Sequence, residues 1–145
     1  EKVLELIQNQ LPASRRKMVH NLCGATSLPG LYSLMKRSQM LISNDSAPVH
    51  FAAAARIPLV AIFGATVPAL GYAPLTPESR VAEVTGLACR PCGSHGGNKC
   101  PRGHFLCMNL LTSDDVMEKA KEVLPPPEAA GKKSKPAREP GSKTK

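Results

Sequence analysis

Ile42-Ser-Asn-Asp-Ser-Ala-Pro-Val-His-Phe-Ala-Ala-Ala-Ala-Arg56 decides the fold of this 145-residue chain. The stretch reads as a buried strand that breaks into a tight polar turn and re-enters helix at a proline. Proline is accepted in the first helical turn, where its missing N–H removes no intrahelical bond. The small-sided Phe51–Ala55 run lets that helix approach a sheet closely. In parallel α/β folds ligands sit at the carboxyl ends of strands, and helix N-termini attract anions. This junction carries a carboxylate (Asp45), a hydroxyl (Ser46), the amides of Ser46 and Ala47, and an imidazole (His50). Such a set suits a ligand with a phosphate and a polyhydroxylated part, as in a sugar nucleotide. Taken alone the same residues also read as a helix cap with a packed histidine.

Outward from that junction, hydrophobic spacing predicts the remaining elements. Leu59–Phe63, between Pro58 and Gly64, is a continuous apolar run, as expected for a parallel strand covered on both faces. Upstream, Leu28, Leu31, Tyr32 and Met35 fall on one helical face that Thr26 or Ser27 can cap. Met18–Leu22 is expected to be a strand leading into Cys23-Gly24, and Cys23 an ordinary buried thiol. Leu4, Ile7 and Leu11 predict a first helix ended by Pro12. Strands are expected at 40–43 and 81–84, and a helix over 48–56. Thr112-Ser-Asp-Asp115 opens the last helix, whose buried face carries Val116, Ala120, Val123 and Leu124. Alternating strands and helices predict an α/β, doubly wound parallel sheet over residues 1–124. Residues 125–145 lack the apolar side chains to fold and are expected to be a disordered basic tail.

The net charge of +8 is unevenly spread. The tail holds six Lys/Arg and two Glu, which leaves a mildly basic body of 13 basic and 9 acidic residues. Two Tyr, three Phe and no Trp give no stacking surface for nucleic acid, so no nucleic-acid partner is expected. No apolar run approaches the roughly 20 residues of a membrane-spanning helix. A cytoplasmic location is expected, with peripheral contact at the inner face of an inner membrane, where the basic tail would meet anionic lipid.

Cys89, Cys92, Cys100 and Cys107 place four thiols in one Gly/Pro-rich loop, 89–107, with His95 and His104 between them. Two thiolate pairs suit a structural zinc, although the second pair is more widely spaced than usual. A packed cluster of reduced thiols and an iron–sulfur site are the alternatives. Arg90, Lys99 and Arg102 add positive charge for an anionic acceptor or lipid surface, or form a solvated charged loop.

Four motifs occur in one order: Asn21-Leu-Cys-Gly-Ala-Thr-Ser-Leu28, Ile42-Ser-Asn-Asp-Ser-Ala-Pro-Val-His50, Val60-Ala-Ile-Phe-Gly-Ala-Thr-Val-Pro68, and Cys89-Arg-Pro-Cys92 with Lys99-Cys-Pro-Arg-Gly-His-Phe-Leu-Cys-Met108. Together they resemble the C-terminal half of the glycosyltransferase family 9 heptosyltransferases, over about residues 1–124. The resemblance implies a Rossmann-like domain, the nucleotide-sugar half of a GT-B enzyme moving heptose from ADP-heptose to a lipopolysaccharide core acceptor. It implies that Asp45 holds the sugar hydroxyls and that Ser46, Ala47 and His50 surround the diphosphate. Thr26, Ser27 and Leu28 would line the adenosine pocket, with the 64–68 loop adjoining. Many family members have Gly where this chain has Ala47, and a methyl there disfavours positive φ. In the family an N-terminal domain binds the lipid A–core acceptor and supplies the catalytic carboxylate. This chain opens with Glu1 inside an apparent helix, so that domain is expected upstream. The chain alone is expected to bind donor weakly and transfer nothing, with no cofactor required for chemistry and a structural zinc as one reading of the cysteine loop. A non-catalytic, zinc-containing module that contacts nucleic acid or anionic surfaces is the competing reading.

Overall fold

A computed structural model describes residues 2–124. The expected tail, 125–145, lies outside the described residues, as does Glu1. The chain divides between Leu34 and Met35 into two compact units.

The first unit contains α1 (Lys2–Gln10), a short α2 (Ala13–Arg16) and most of α3 (Leu28–Arg37). Pro12 ends α1 as expected and stands as the N-cap of α2. The expected strand at Met18–Leu22 is absent. Instead, Met18 N–H donates to Arg15 O at 3.0 Å and Val19 N–H to Arg16 O at 3.1 Å, which extends the helical turn. A strand needs a neighbour to accept its amides, and these amides are already used. Met18 and Leu22 are exposed, and so is Cys23, against the expectation of a buried thiol. Ser27 Oγ accepts from Gly30 N at 3.3 Å, so Ser27 is the residue that closes the open end of α3. Of the expected α3 face, Met35 is buried, Leu31 and Tyr32 are half-buried, and Leu28 is exposed.

The second unit is built on a parallel sheet of β1 (Leu41–Asn44), β2 (Leu59–Phe63) and β3 (Ser79–Glu83), in that spatial order. Leu41 pairs with Leu59, and Leu59 with Ser79, so the three strands start level. The ladder runs on past β1, because Asp45 N–H donates to Ile62 O at 2.9 Å. β2 is the centre of the core, with Leu59, Val60, Ala61 and Phe63 all fully buried. Burying a side chain of that size contributes roughly 2–3 kcal/mol. Because strand side chains alternate, both faces of β2 must be covered. The helix α4 (Ala47–Ala55) packs on β1 and β2, and α6 (Ser113–Val123) on β2 and β3. Val60, Ala82 and Ala120 form one cluster, with Val116 and Val123 against it, which is the α6 face expected from the sequence.

Between β2 and β3 the chain makes a single 3-10 turn, Pro68–Leu70, instead of a crossover helix. A short α5 (Leu106–Asn109) closes the cysteine loop. Among the described residues, no helix is long and apolar enough to cross a membrane.

Candidate functional site

The ends of β1 and β2 carry the site. β1 leads directly into Asp45, whose backbone is fixed by the bond to Ile62. Its side chain is fixed from the next loop: Thr66 Oγ1 donates to Asp45 Oδ2 at 2.7 Å. Thr66 is buried, at 8% exposure, so this hydroxyl is sheltered from competing water. The carboxylate is half-buried, and its Oδ1 makes no hydrogen bond among the described residues. An oriented acid with one oxygen to spare is a ready acceptor for hydroxyl groups.

Ser46 is the N-cap of α4 by position but not by side chain. Its Oγ turns back to Asn44 O at 3.0 Å and lies 3.5 Å from Ser43 Oγ. The N–H groups of Ser46 and Ala47 have no protein acceptor among the described residues. Pro48, the second helical residue, has no N–H to offer. Ala47 lies within the helix, and the only non-glycine residues at positive φ among those described are Arg56 and Phe105. Alanine at this position thus carries no backbone strain.

Asp45, Ser46, Ala47 and His50 line one open cavity of about 210 Å³, and Thr66, Tyr72 and His95 complete it. A second cavity, about 540 Å³, shares Asp45, Thr66 and His95 and extends over Gly64, Gly96 and Met108. The structure thus brings together Asp45, Ser46, Ala47 and His50, the four neighbours expected from the sequence. Thr26, Ser27 and Leu28, all exposed, belong to the first unit. The expected adjoining loop, 64–68, supplies Thr66, although no single residue of it was singled out, and sequence reasoning missed Tyr72 and His95 as parts of the site.

The cysteine loop reaches the site through backbone contacts. Cys92 N–H donates to Ala65 O at 2.8 Å, pinning the loop to the segment after β2. Gly96 adopts φ +72°, and a Cβ added there would lie 3.1 Å from the Ala65 methyl. Only glycine satisfies both conditions comfortably. Gly64 has a different constraint, since a Cβ would stand 2.6 Å from Met108 Sδ.

Arg90 is not the surface cation expected from the sequence. Its side chain is 4% exposed and pairs with Glu83 Oε2 at 2.8 Å. Its guanidinium also donates to Thr66 O at 2.7 Å and to Val84 O. These bonds tie the end of β3 to the loop that holds Thr66. Lys99 and Arg102 are exposed.

Cys107 is buried, and Cys89, Cys92 and Cys100 are half-buried. Burial, followed by the nearby Cys89, Cys100 and Cys107 sulfurs, pushes the Cys92 thiol up. Backbone hydrogen bonds, that of Phe105 foremost, hold the Cys100 thiol down. His104 Nδ1 accepts from Leu106 N at 3.0 Å, and its Nε2 lies 4.0 Å from Cys89 Sγ. Among the described residues, no three His, Cys, Asp or Glu side chains are grouped to hold one metal ion.

The comparisons bear on the same residues. The profile for glycosyltransferase family 9 (heptosyltransferase) matches residues 2–99, more than half of the chain. The chain belongs to glycosyltransferase family 9. It is 35% identical over 106 residues to a lipooligosaccharide heptosyltransferase 2 of Campylobacter jejuni, covering 73% of this chain and 32% of that protein. Similarity to a protein of the same description from Haemophilus influenzae is 38% over 127 residues, or 86% of this chain and 35% of that one. A shorter stretch of 45 residues is 47% identical to a lipopolysaccharide heptosyltransferase 3 of Escherichia coli, covering 31% of this chain and 13% of that protein. The chain spans about a third of the length of the first two. No solved structure matches it. The parallel sheet with its helices is Rossmann-like, the α/β class of a family built on the GT-B arrangement.

Proposed function

We propose that this chain is the donor-binding part of a glycosyltransferase that moves heptose from ADP-heptose to a lipopolysaccharide core acceptor. The observation that supports it best is the pairing of an oriented carboxylate with two unpartnered amides at one strand-to-helix junction. Asp45 Oδ1 accepts hydrogen bonds from the sugar hydroxyls, while Thr66 holds Oδ2. The amides of Ser46 and Ala47, at the positive end of α4, face the diphosphate, and His50 donates from the next position. Thr26, Ser27 and Leu28 contact the adenosine, on the resemblance alone.

In this reading transfer is an inverting displacement. The acceptor oxygen bonds to the anomeric carbon as the bond from that carbon to the diphosphate oxygen breaks. The acceptor proton passes to a carboxylate supplied by a domain upstream of this chain, and ADP leaves carrying the bonding electrons. What this chain supplies is orientation of the sugar and stabilisation of the leaving diphosphate. By itself it binds donor and transfers nothing. In the cell we place it in the cytoplasm, peripheral to the inner membrane where a lipid-linked acceptor is available.

Calorimetric titration of ADP-heptose into the intact protein tests the proposal. Binding that Asp45→Ala weakens supports it. No binding, or binding that ignores Asp45→Ala, ends it.

A further inference from the structure

We infer that His95, oriented by Tyr72, is a second side-chain contact to the diphosphate in the donor site, after His50, carried there by the cysteine loop. The inference rests on the donor-site reading above and adds a residue to it.

Tyr72 and His95 are 23 residues apart in sequence, yet the Tyr72 hydroxyl lies 3.0 Å from His95 Nδ1. Their rings are tilted by 41° with centroids 5.8 Å apart. His95 stands on the wall shared by both cavities, beside Asp45 and Thr66. The backbone next to it is anchored twice, by Cys92 N–H on Ala65 O and by Gly96 against the Ala65 methyl. The imidazole itself is exposed, and its Nε2 has no hydrogen-bond partner among the described residues.

Two features of the site make a diphosphate the fitting partner for that nitrogen. Among the described residues, no Lys or Arg lines either cavity, and His50 and His95 are the only side chains there able to carry positive charge. In addition, Pro48 removes one of the first-turn amides that a helix N-terminus normally presents. A leaving diphosphate gains charge as its bond to the sugar breaks, and this donor set is short for it.

Tyr72 then determines which nitrogen faces the ligand. If the Tyr72 hydroxyl donates to Nδ1, the neutral ring carries its proton on Nε2. If the ring is a cation, Nδ1–H donates to the Tyr72 oxygen and Nε2 is again protonated. Both of these states present an N–H to a phosphate oxygen. The remaining neutral tautomer, with Nδ1–H donating to the Tyr72 oxygen, leaves Nε2 an acceptor, and a bound phosphate disfavours it.

The test is titration of ADP-heptose, ADP and adenosine into the intact protein and its His95→Ala, Tyr72→Phe and Asp45→Asn variants. Because His95 is exposed, His95→Ala is expected to melt with the wild type. It should weaken ADP roughly tenfold, the usual effect of losing one charge-assisted hydrogen bond. Adenosine affinity should stay unchanged, and Tyr72→Phe should weaken ADP about threefold. His95→Ala that binds ADP like the wild type, while Asp45→Asn still weakens ADP-heptose, overturns this inference and leaves the donor site standing. Equal loss of ADP and adenosine also overturns it, because that marks a structural role. Failure of the wild type to bind ADP-heptose at all removes both readings.

Discussion

Thr66 Oγ1 reaches across 21 residues of sequence to hold Asp45 Oδ2 at 2.7 Å, locking the loop after β2 to the end of β1. One carboxylate oxygen is therefore spent on orientation and the other is left for a ligand. Thr66→Val keeps the shape and removes only the donor. We expect it to weaken ADP-heptose binding several-fold, against tenfold or more for Asp45→Asn, by the usual worth of hydrogen bonds to charged groups. ADP, which lacks the heptose, should be nearly indifferent to both. Calorimetry on the two ligands checks the contrast.

Arg90 offers a stability prediction. Its buried guanidinium serves Glu83 and the carbonyls of Thr66 and Val84 together. Removing one partner of such a buried pair strands the others and costs about 3–5 kcal/mol. Arg90→Lys should recover little of that, because an ammonium cannot reproduce the planar fork. Since Arg90 also holds the segment carrying Thr66, donor affinity should fall in any variant that still folds. Urea unfolding of Arg90→Met and Arg90→Lys, followed by titration, measures both effects.

What was legible in the sequence follows how each residue acts. Asp45, Ser46, Ala47 and His50 are neighbours along the chain, so one strand-turn-helix pattern revealed them together. Leu59–Phe63 was equally plain, because a strand buried on both faces is apolar throughout. The 64–68 loop was expected beside the site, but the Thr66 bond to Asp45, and the arrival of Tyr72 and His95, depend on chain crossings that spacing does not encode. Arg90 was misread because a lone arginine in a polar loop is normally solvated. Nothing in its spacing announces the Glu83 partner or the carbonyls. Met18–Leu22 has strand-like composition, but its first amides were already committed to the end of α2.

Gly64 marks a close approach between the loop after β2 and α5. A Cβ there would sit 2.6 Å from Met108 Sδ. Met108 is half-exposed and can swing aside, so Gly64→Ala should cost about 1 kcal/mol, the low end for overpacking. Adding Met108→Ala should restore most of the loss. A double-mutant cycle in urea measures that coupling, and a loss that survives the second change would refute the contact.

The cysteines should differ in reactivity by exposure. Alkylation under native, reducing conditions is expected to modify exposed Cys23 first and buried Cys107 last, with the half-buried Cys89, Cys92 and Cys100 between them. Repeating the reaction with zinc present tests the metal site suggested by the spacing. Joint protection of Cys89, Cys92, Cys100 and Cys107, with Cys23 still reactive, would establish it. Peptide mass mapping over time reads every thiol in one experiment.

The capping box of α6 makes stability depend on acid. Asp115 accepts from the Thr112 hydroxyl at 2.6 Å and from Thr112 N–H at 2.8 Å, while its own N–H donates back to Thr112 Oγ1. These bonds, the hydroxyl's foremost, hold the Asp115 carboxyl below its ordinary value. A group with a lowered folded pKa stabilises fully above its unfolded value. That contribution fades as pH falls between the ordinary carboxylate value and the depressed folded one. Wild type should therefore exceed Asp115→Asn in stability at neutral pH, and the gap should close in that acid window. Thr112→Ala removes the cap at any pH and should cost about 1 kcal/mol. Thermal melts of the three proteins across the acid range decide it: a gap unchanged by pH would show that the Asp115 charge contributes nothing.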